Sequence, residues 1–215
     1  SFPTRRSSDL KMPQQQASLP KQPFSHIFDD FKRVFKNKRF LGLTIGLPMV
    51  AMPLMLWIAL SPVMLVEELG LSSLQYGLAQ FPVLGGLILG NIVLIKIIDK
   101  LPLGKTVLIG LPLMLAGTAV VVAGMLFPQY FLHCVILGMT LVSFGEGISF
   151  SVLYRFALMS SEVSKGTVAA SVSVLMMFSF FFVIELVRVL YEHLHIWAYG
   201  VSCFALIALW FSFPR

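Results

Sequence analysis

Six long apolar runs, one after another, constrain this chain more than any motif does. They cover residues 40–66, 73–98, 104–127, 130–159, 165–190 and 195–213. Each comes close to or exceeds the about 20 mostly apolar residues with which an α-helix crosses bilayer hydrocarbon. A backbone in hydrocarbon must satisfy its own hydrogen bonds, so runs of this length are expected to fold as spanning helices. Short polar breaks divide them: Glu67-Glu68-Leu69-Gly70, Asp99-Lys100-Leu101-Pro102, Pro128-Gln129, Ser160 to Lys165, and Tyr191-Glu192-His193. Only 12% of the 215 residues are charged, about half the share in soluble domains. That is too little charge to cover a water-facing surface, which excludes a soluble enzyme or a free nucleic-acid-binding protein. The expected fold is an all-α membrane protein, a six-transmembrane-helix bundle over residues 40–215.

The net charge of +6 does not imply a phosphate-binding surface, because nine of the 16 lysines and arginines fall in residues 1–39. Basic residues near spans report orientation, being enriched on the cytoplasmic side. With the N-terminus inside, Lys96, Lys100 and Lys105 flank one cytoplasmic loop, Arg155 and Lys165 flank the next, and Arg215 ends inside. Arg188 alone falls on the outer side, where Glu67 and Glu68 mark the first outer loop. Both termini are therefore expected in the cytoplasm.

Ser1 to Leu10 reads as the translation of a sequencing-library adapter and is set apart from the fold. The chain is accordingly expected to be a gene fragment that lacks its native N-terminal part. Residues 11–23 are polar and rich in Pro and Gln, the composition of a linker. Over residues 24–39, Phe24, Ile27, Phe28, Phe31, Val34 and Phe35 recur at helical spacing, beside Lys32, Arg33, Lys36, Lys38 and Arg39. Together, residues 11–39 are expected to form a cytoplasmic linker with an amphipathic helix lying in the membrane interface.

Ionisable residues inside a span are costly, about 2.5–3.5 kcal/mol at the helix centre, so each is a candidate for function. Glu146 sits mid-span between Gly145 and Gly147. It fits either a cavity carboxylate that meets a cationic substrate or a neutral carboxyl bonded across a helix interface. Glu185, Arg188 and Glu192 share one helix face, where they can pair with each other. Arg155, near the cytoplasmic end of its span, suits an inner gate or a topology anchor. Pro48, Pro53, Pro62, Pro82 and Pro112 lie within spans and are expected to kink them. Cys134 and Cys203 offer neither a metal-ligand spacing nor a disulfide framework. Gly147-Ile148-Ser149 is the one candidate for an intramembrane serine nucleophile. It lacks a histidine at matching depth, so the chain is expected to be no enzyme.

Three stretches carry a family resemblance. The first is Lys36-Asn37-x-Arg39-Phe40 with Pro53-Leu54-Met55-Leu56-Trp57-Ile58-Ala59-Leu60-Ser61-Pro62. The second is Leu71-Ser72-Ser73 with Tyr76-Gly77-Leu78-x-Gln80-x-Pro82 and Gly90-Asn91. The third is Arg155, Ser164-Lys165-Gly166-Thr167-Val168 and Ile184-Glu185. In order and spacing they resemble the C-terminal half of a major facilitator superfamily multidrug/proton antiporter of the MdfA type. The resemblance implies one half of a 12-helix transporter in a bacterial inner membrane. It exports lipophilic, often cationic drugs by alternating access. The energy source is the proton gradient, with no cofactor and no metal. The implied partners are the bilayer, drugs, protons and a missing N-terminal six-helix half, with no nucleic acid.

Carried over, the resemblance places Leu54, Met55 and Ile58 in the substrate pocket, with polar contacts from Gln80 and Asn91 and a small residue at Ser173. Glu146 departs from the family pattern and adds a carboxylate to that set. Arg155 and Lys165 belong to the cytoplasmic gate and its loop, and Glu185 to gating or coupling. The family's proton-titrating carboxylates and its antiporter glycine/proline motif lie in the other half. This chain by itself is thus not expected to hold a complete coupling mechanism. A six-helix membrane scaffold or accessory subunit is the alternative, marked by a complete gene starting near Met12.

Overall fold

The structure is a computed structural model that describes residues 24–101 and 103–212. The adapter reading of Ser1–Leu10, the linker at 11–23, Pro102 and Arg215 lie outside the described residues. So do the side chains of Phe24, Ile27, Phe28 and Arg39. Every element among the described residues is helical. They are α1 (Phe24–Lys36), α2 (Lys38–Pro62), α3 (Ser73–Ile97), α4 (Leu103–Leu126), α5 (Phe131–Met159), α6 (Lys165–Leu194) and α7 (Ile196–Ser212). A π-helical turn, Val63–Glu68, extends α2, and a 3-10 turn, Pro128–Tyr130, leads into α5.

Five helical segments are long and apolar enough to cross a membrane, and α7, with 17 residues, is a shorter apolar helix. Among the described residues, the sixth expected span falls on that shorter helix. At about 1.5 Å of rise per residue, α7 reaches about 25 Å against a hydrocarbon core of about 30 Å. Tyr191-Glu192-His193 is not a loop but the last turn of α6, which runs to Leu194. The chain then reverses at His195, whose φ of 48° lies in the left-handed region that few residues other than glycine adopt. The helix expected over 24–39 also divides, because Asn37 separates α1 from α2 and Lys38 and Arg39 open the latter.

Local signals explain the ends. Ser72 caps α3 with a reciprocal box: its hydroxyl accepts from the Gln75 N–H at 3.3 Å, and the Gln75 side chain accepts from the Ser72 N–H at 2.9 Å. Ser164 accepts from the Thr167 N–H and opens α6. Pro48 and Pro53 sit inside α2, Pro82 inside α3 and Pro112 inside α4, and none of them ends its helix. At Pro62 the α-helix gives way to the π-helical turn.

Helix α5 is the hub, packed against α4, α3 and α2. Its seam with α4 is made by glycines. A Cβ on Gly138 would lie 2.6 Å from the Gly117 carbonyl oxygen, and one on Gly145 would lie 2.5 Å from that of Gly110. Across α3, a Cβ on Gly147 would lie 2.6 Å from the Leu87 carbonyl oxygen. Lipid tails are as apolar as leucine, so close backbone approach and dispersion hold such helices together, and small residues permit both. The remaining core gathers Trp57, Phe40, Leu47 and Met52 of α2 with Met139 of α5 and Tyr199 of α7.

Candidate functional site

The central element is α5, three of whose faces are taken by three sets of neighbours. Gly138 and Gly145 meet α4, and Gly147 meets α3. The third face carries Met139, Ser143 and Glu146 at helical spacing, and all three are buried. Its direction is fixed by Met139, whose sulfur accepts a 2.8 Å hydrogen bond from the Tyr199 hydroxyl of α7. Glu146 thus points into the middle of the bundle, 5% exposed, with its Oε2 buried and without a hydrogen-bond partner. The glycines beside it admit the backbones of α4 and α3. A carboxyl oxygen held without a partner in an apolar core costs free energy, which marks this position as unusual.

Along α2, Leu54 is buried, Met55 is half-buried and Ile58 is 53% exposed, so these three residues run from the core to its edge. Gln80 of α3 is engaged by protein. Its Oε1 accepts a 2.7 Å bond from the indole N–H of buried Trp57, and its Nε2 donates to the Ser61 hydroxyl at 3.5 Å. The Ser61 and Tyr76 hydroxyls lie 3.3 Å apart and complete a polar chain between α2 and α3. Asn91 donates to the Leu87 carbonyl of its own helix at 2.9 Å, at the station where Gly147 of α5 approaches. Ser173 is exposed on α6, apart from the face that holds Glu146.

The gating candidates lie at helix ends and on α6. Arg155 is exposed in the last turns of α5. Lys165 donates to the Leu158 carbonyl at 2.9 Å and the Ser161 carbonyl at 3.3 Å, closing the turn between α5 and α6. A cation there also meets the negative end of the α5 dipole. Glu185 receives both the Nε and the Nη2 of Arg188, at 3.0 and 2.7 Å, and Glu192 lies 3.5 Å from Nη1. All three are exposed, forming a ladder along one side of α6.

Among the described residues, cavities flank the bundle. One of about 690 Å³ lies between α1 and the α5–α6 connection, lined by Asp30, Arg33, Asn37 and residues 160–164. Another, of about 290 Å³, includes Leu69, Met125, Phe131, His195 and Trp197 in its lining. None of Leu54, Met55, Ile58, Gln80, Asn91, Glu146 or Ser173 lines either one. Among the described residues no three of His, Cys, Asp and Glu gather as a metal site would require. The Trp57–Gln80 and Tyr199–Met139 bonds escape the sequence reading, because each joins residues of different helices and carries no periodic signal.

No family model matches the chain. The chloramphenicol resistance protein CraA of Acinetobacter baumannii is 68% identical over 205 residues, covering 95% of this chain and 50% of that protein. The multidrug transporter MdfA of Edwardsiella piscicida is 36% identical over 171 residues, covering 80% of this chain and 40% of that protein. MdfA of Yersinia pestis is 34% identical over 177 residues, covering 81% and 43%. The chain spans about half the length, or less, of these curated relatives. It belongs with the major facilitator transporters of the MdfA type, a multi-pass membrane family and not an enzyme family.

Proposed function

We propose that this member of the MdfA type forms the C-terminal six-helix half of an exporter. The complete transporter drives lipophilic, often cationic compounds, and neutral chloramphenicol with them, out across the bacterial inner membrane in exchange for protons. The observation that carries this reading is the uneven burial of the helices. In their most apolar stretches, 61% of α2 is buried but only 28% of α3 and 17% of α6. The exposed side of α6 also carries Glu185, Arg188 and Glu192, which lipid would solvate poorly and a protein partner or aqueous cavity would accept. The uncovered faces of α3 and α6 are where a second six-helix half would seat, with alternating access arising as the two halves rock.

In this reading Leu54, Met55 and Ile58 offer an adaptable apolar surface, which supports broad substrate choice because burial supplies affinity without one required shape. Gln80, Asn91 and Ser173 add polar contacts, and Glu146 is the charge that answers a cationic substrate. Arg155 and Lys165 serve the cytoplasmic gate, and Glu185 serves coupling. Both ends of the chain face the cytoplasm, as the distribution of lysines and arginines supports.

The test expresses the chain alone and fused behind an MdfA N-terminal half, in cells stripped of their own exporters. Drug resistance is expected only from the fusion, and resistance from the chain alone overturns the half-transporter reading. Within the fusion, Glu146→Gln keeps the shape and removes the charge. Export of a permanently cationic dye should fall about tenfold or more, since losing one partner of a buried charge pair costs about 2 kcal/mol or more. Chloramphenicol export should be spared. Equal losses for both compounds would remove Glu146 from substrate charge recognition.

A further inference from the structure

The end of the bundle where α1 lies carries an exposed basic edge. Helix α1 joins α2 at Asn37, and the Phe35 ring meets the Phe40 ring of α2 edge-on, with centroids 6.4 Å apart. The Asn37 N–H donates to the Val34 carbonyl at 3.1 Å, and its Oδ1 accepts from the Phe40 N–H at 3.2 Å. Its Nδ2 donates to the Ser160 carbonyl at 2.9 Å, joining α1 to the connection between α5 and α6. The apolar span opens at Phe40, which is fully buried, three residues past the break. The C-terminal end of α1 therefore lies within about 6 Å of the hydrocarbon boundary along the axis of α2. It is held by fully buried Val34 and packs on α6 and α2.

Its sides differ. Asp30 and Arg33 turn toward the cleft with Asn37 and residues 160–164. Lys32, Phe35 and Lys36 share the opposite edge at i, i+3 and i+4 spacing, all exposed, and exposed Lys38 follows. Asp29 stands on the same side one turn earlier. Lys32 and Lys36 against Asp29, with exposed Lys38 just past the break, leave this end of α1 positive. An aromatic ring between long cationic side chains, held at the level where hydrocarbon begins, is the pattern by which interfacial helices bind phosphate headgroups.

We infer that the Lys32–Phe35–Lys36–Lys38 edge is a binding surface for anionic phospholipid of the leaflet on which α1 lies, with Phe35 at the acyl boundary and the three ammonium groups on lipid phosphates. The lipid would steady α1 and, through the Asn37–Ser160 bond, the connection between α5 and α6. The inference depends on the transporter reading only for naming that leaflet cytoplasmic.

Native mass spectrometry of the full chain, titrated with phosphatidylglycerol or phosphatidylcholine, tests it. The chain should bind phosphatidylglycerol more tightly. Lys32→Gln/Lys36→Gln/Lys38→Gln should weaken that binding about tenfold or more, given the attraction of each lysine near an anionic surface. Lys32→Arg/Lys36→Arg/Lys38→Arg should keep it, as should Lys96→Gln/Lys100→Gln/Lys105→Gln in the α3–α4 connection. Inorganic phosphate at matching concentration should not displace the lipid. A second measurement needs no variant. In liposomes holding the unaltered chain, spin-labelled phosphatidylglycerol should be immobilised more than spin-labelled phosphatidylcholine, and high salt should abolish the difference. Equal binding of the two lipids, an unaffected glutamine variant, equal loss in the α3–α4 variant, or displacement by phosphate would each overturn the inference.

Discussion

Helices α5 and α6 follow one another, with 29 and 30 residues, and α6 carries the more apolar stretch of the two. A soluble protein would bury α6 first. Here 56% of the apolar stretch of α5 is buried against 17% for α6. The difference lies in side-chain size. On α5, Gly138, Gly145 and Gly147 let neighbouring backbones approach to contact. On α6 the corresponding length carries Phe178, Phe181 and Phe182, which pack on each other, the last two with centroids 5.4 Å apart. In a membrane, apolarity does not choose the buried helix, because the surroundings are equally apolar. Close packing chooses it.

The largest expected effect tests that rule on α5. Gly138→Leu places a branched side chain where even a Cβ would lie 2.6 Å from a backbone oxygen. The α4–α5 seam must open, at a cost of about 3 kcal/mol or more. Thermal unfolding followed by size-exclusion chromatography should show aggregate in place of a monodisperse peak. A variant that unfolds like the unaltered chain would mean the seam does not organise the bundle.

A smaller effect of opposite sign is expected at Glu146. Glu146→Leu removes a buried oxygen that lacks a partner and fills the space with hydrocarbon, so stability should rise by about 1 kcal/mol. The same thermal assay reads it. A loss of stability would show that the carboxyl is bonded in the folded chain, and that this station of α5 is as fully satisfied as the glycine seam.

Least is expected on α6. Phe178→Ser/Phe182→Ser alters two exposed rings, and the isolated chain should unfold within about 0.5 kcal/mol of its former midpoint, as exposed substitutions do. The same pair should weaken co-purification with an N-terminal half, since it removes apolar area that only such a partner would cover. Equal destabilisation of the chain alone would place α6 in the core with α5 and erase the contrast.

The legible and illegible parts of the molecule divide along the same line. Helices α2 to α6 begin within two residues of the apolar runs that announce them, because length and hydropathy are local properties. The end of α6 escaped because Tyr191-Glu192-His193 is polar, and polarity at a membrane surface is compatible with helix as well as with loop. The break at Asn37 escaped because Lys38 and Arg39 continue a basic pattern that suits either helix. Glu146 stood out in the sequence as a costly mid-span acid. That its glycine neighbours serve α4 and α3 depends on partners 35 and 57 residues away in sequence, Gly110 and Gly90.

The sequence by itself determined that this chain spans a membrane, where its helices start, and which ends carry the positive charge. Each of those follows from transfer of single residues between water and hydrocarbon, a property that adds along the chain. Only the tertiary structure decided which face of each helix is covered. It seated α5 at the centre, joined Trp57 to Gln80, left one oxygen of Glu146 without a partner and left α6 bare. Those outcomes depend on the fit between two surfaces, and fit is a property of pairs of helices that no single run of residues contains.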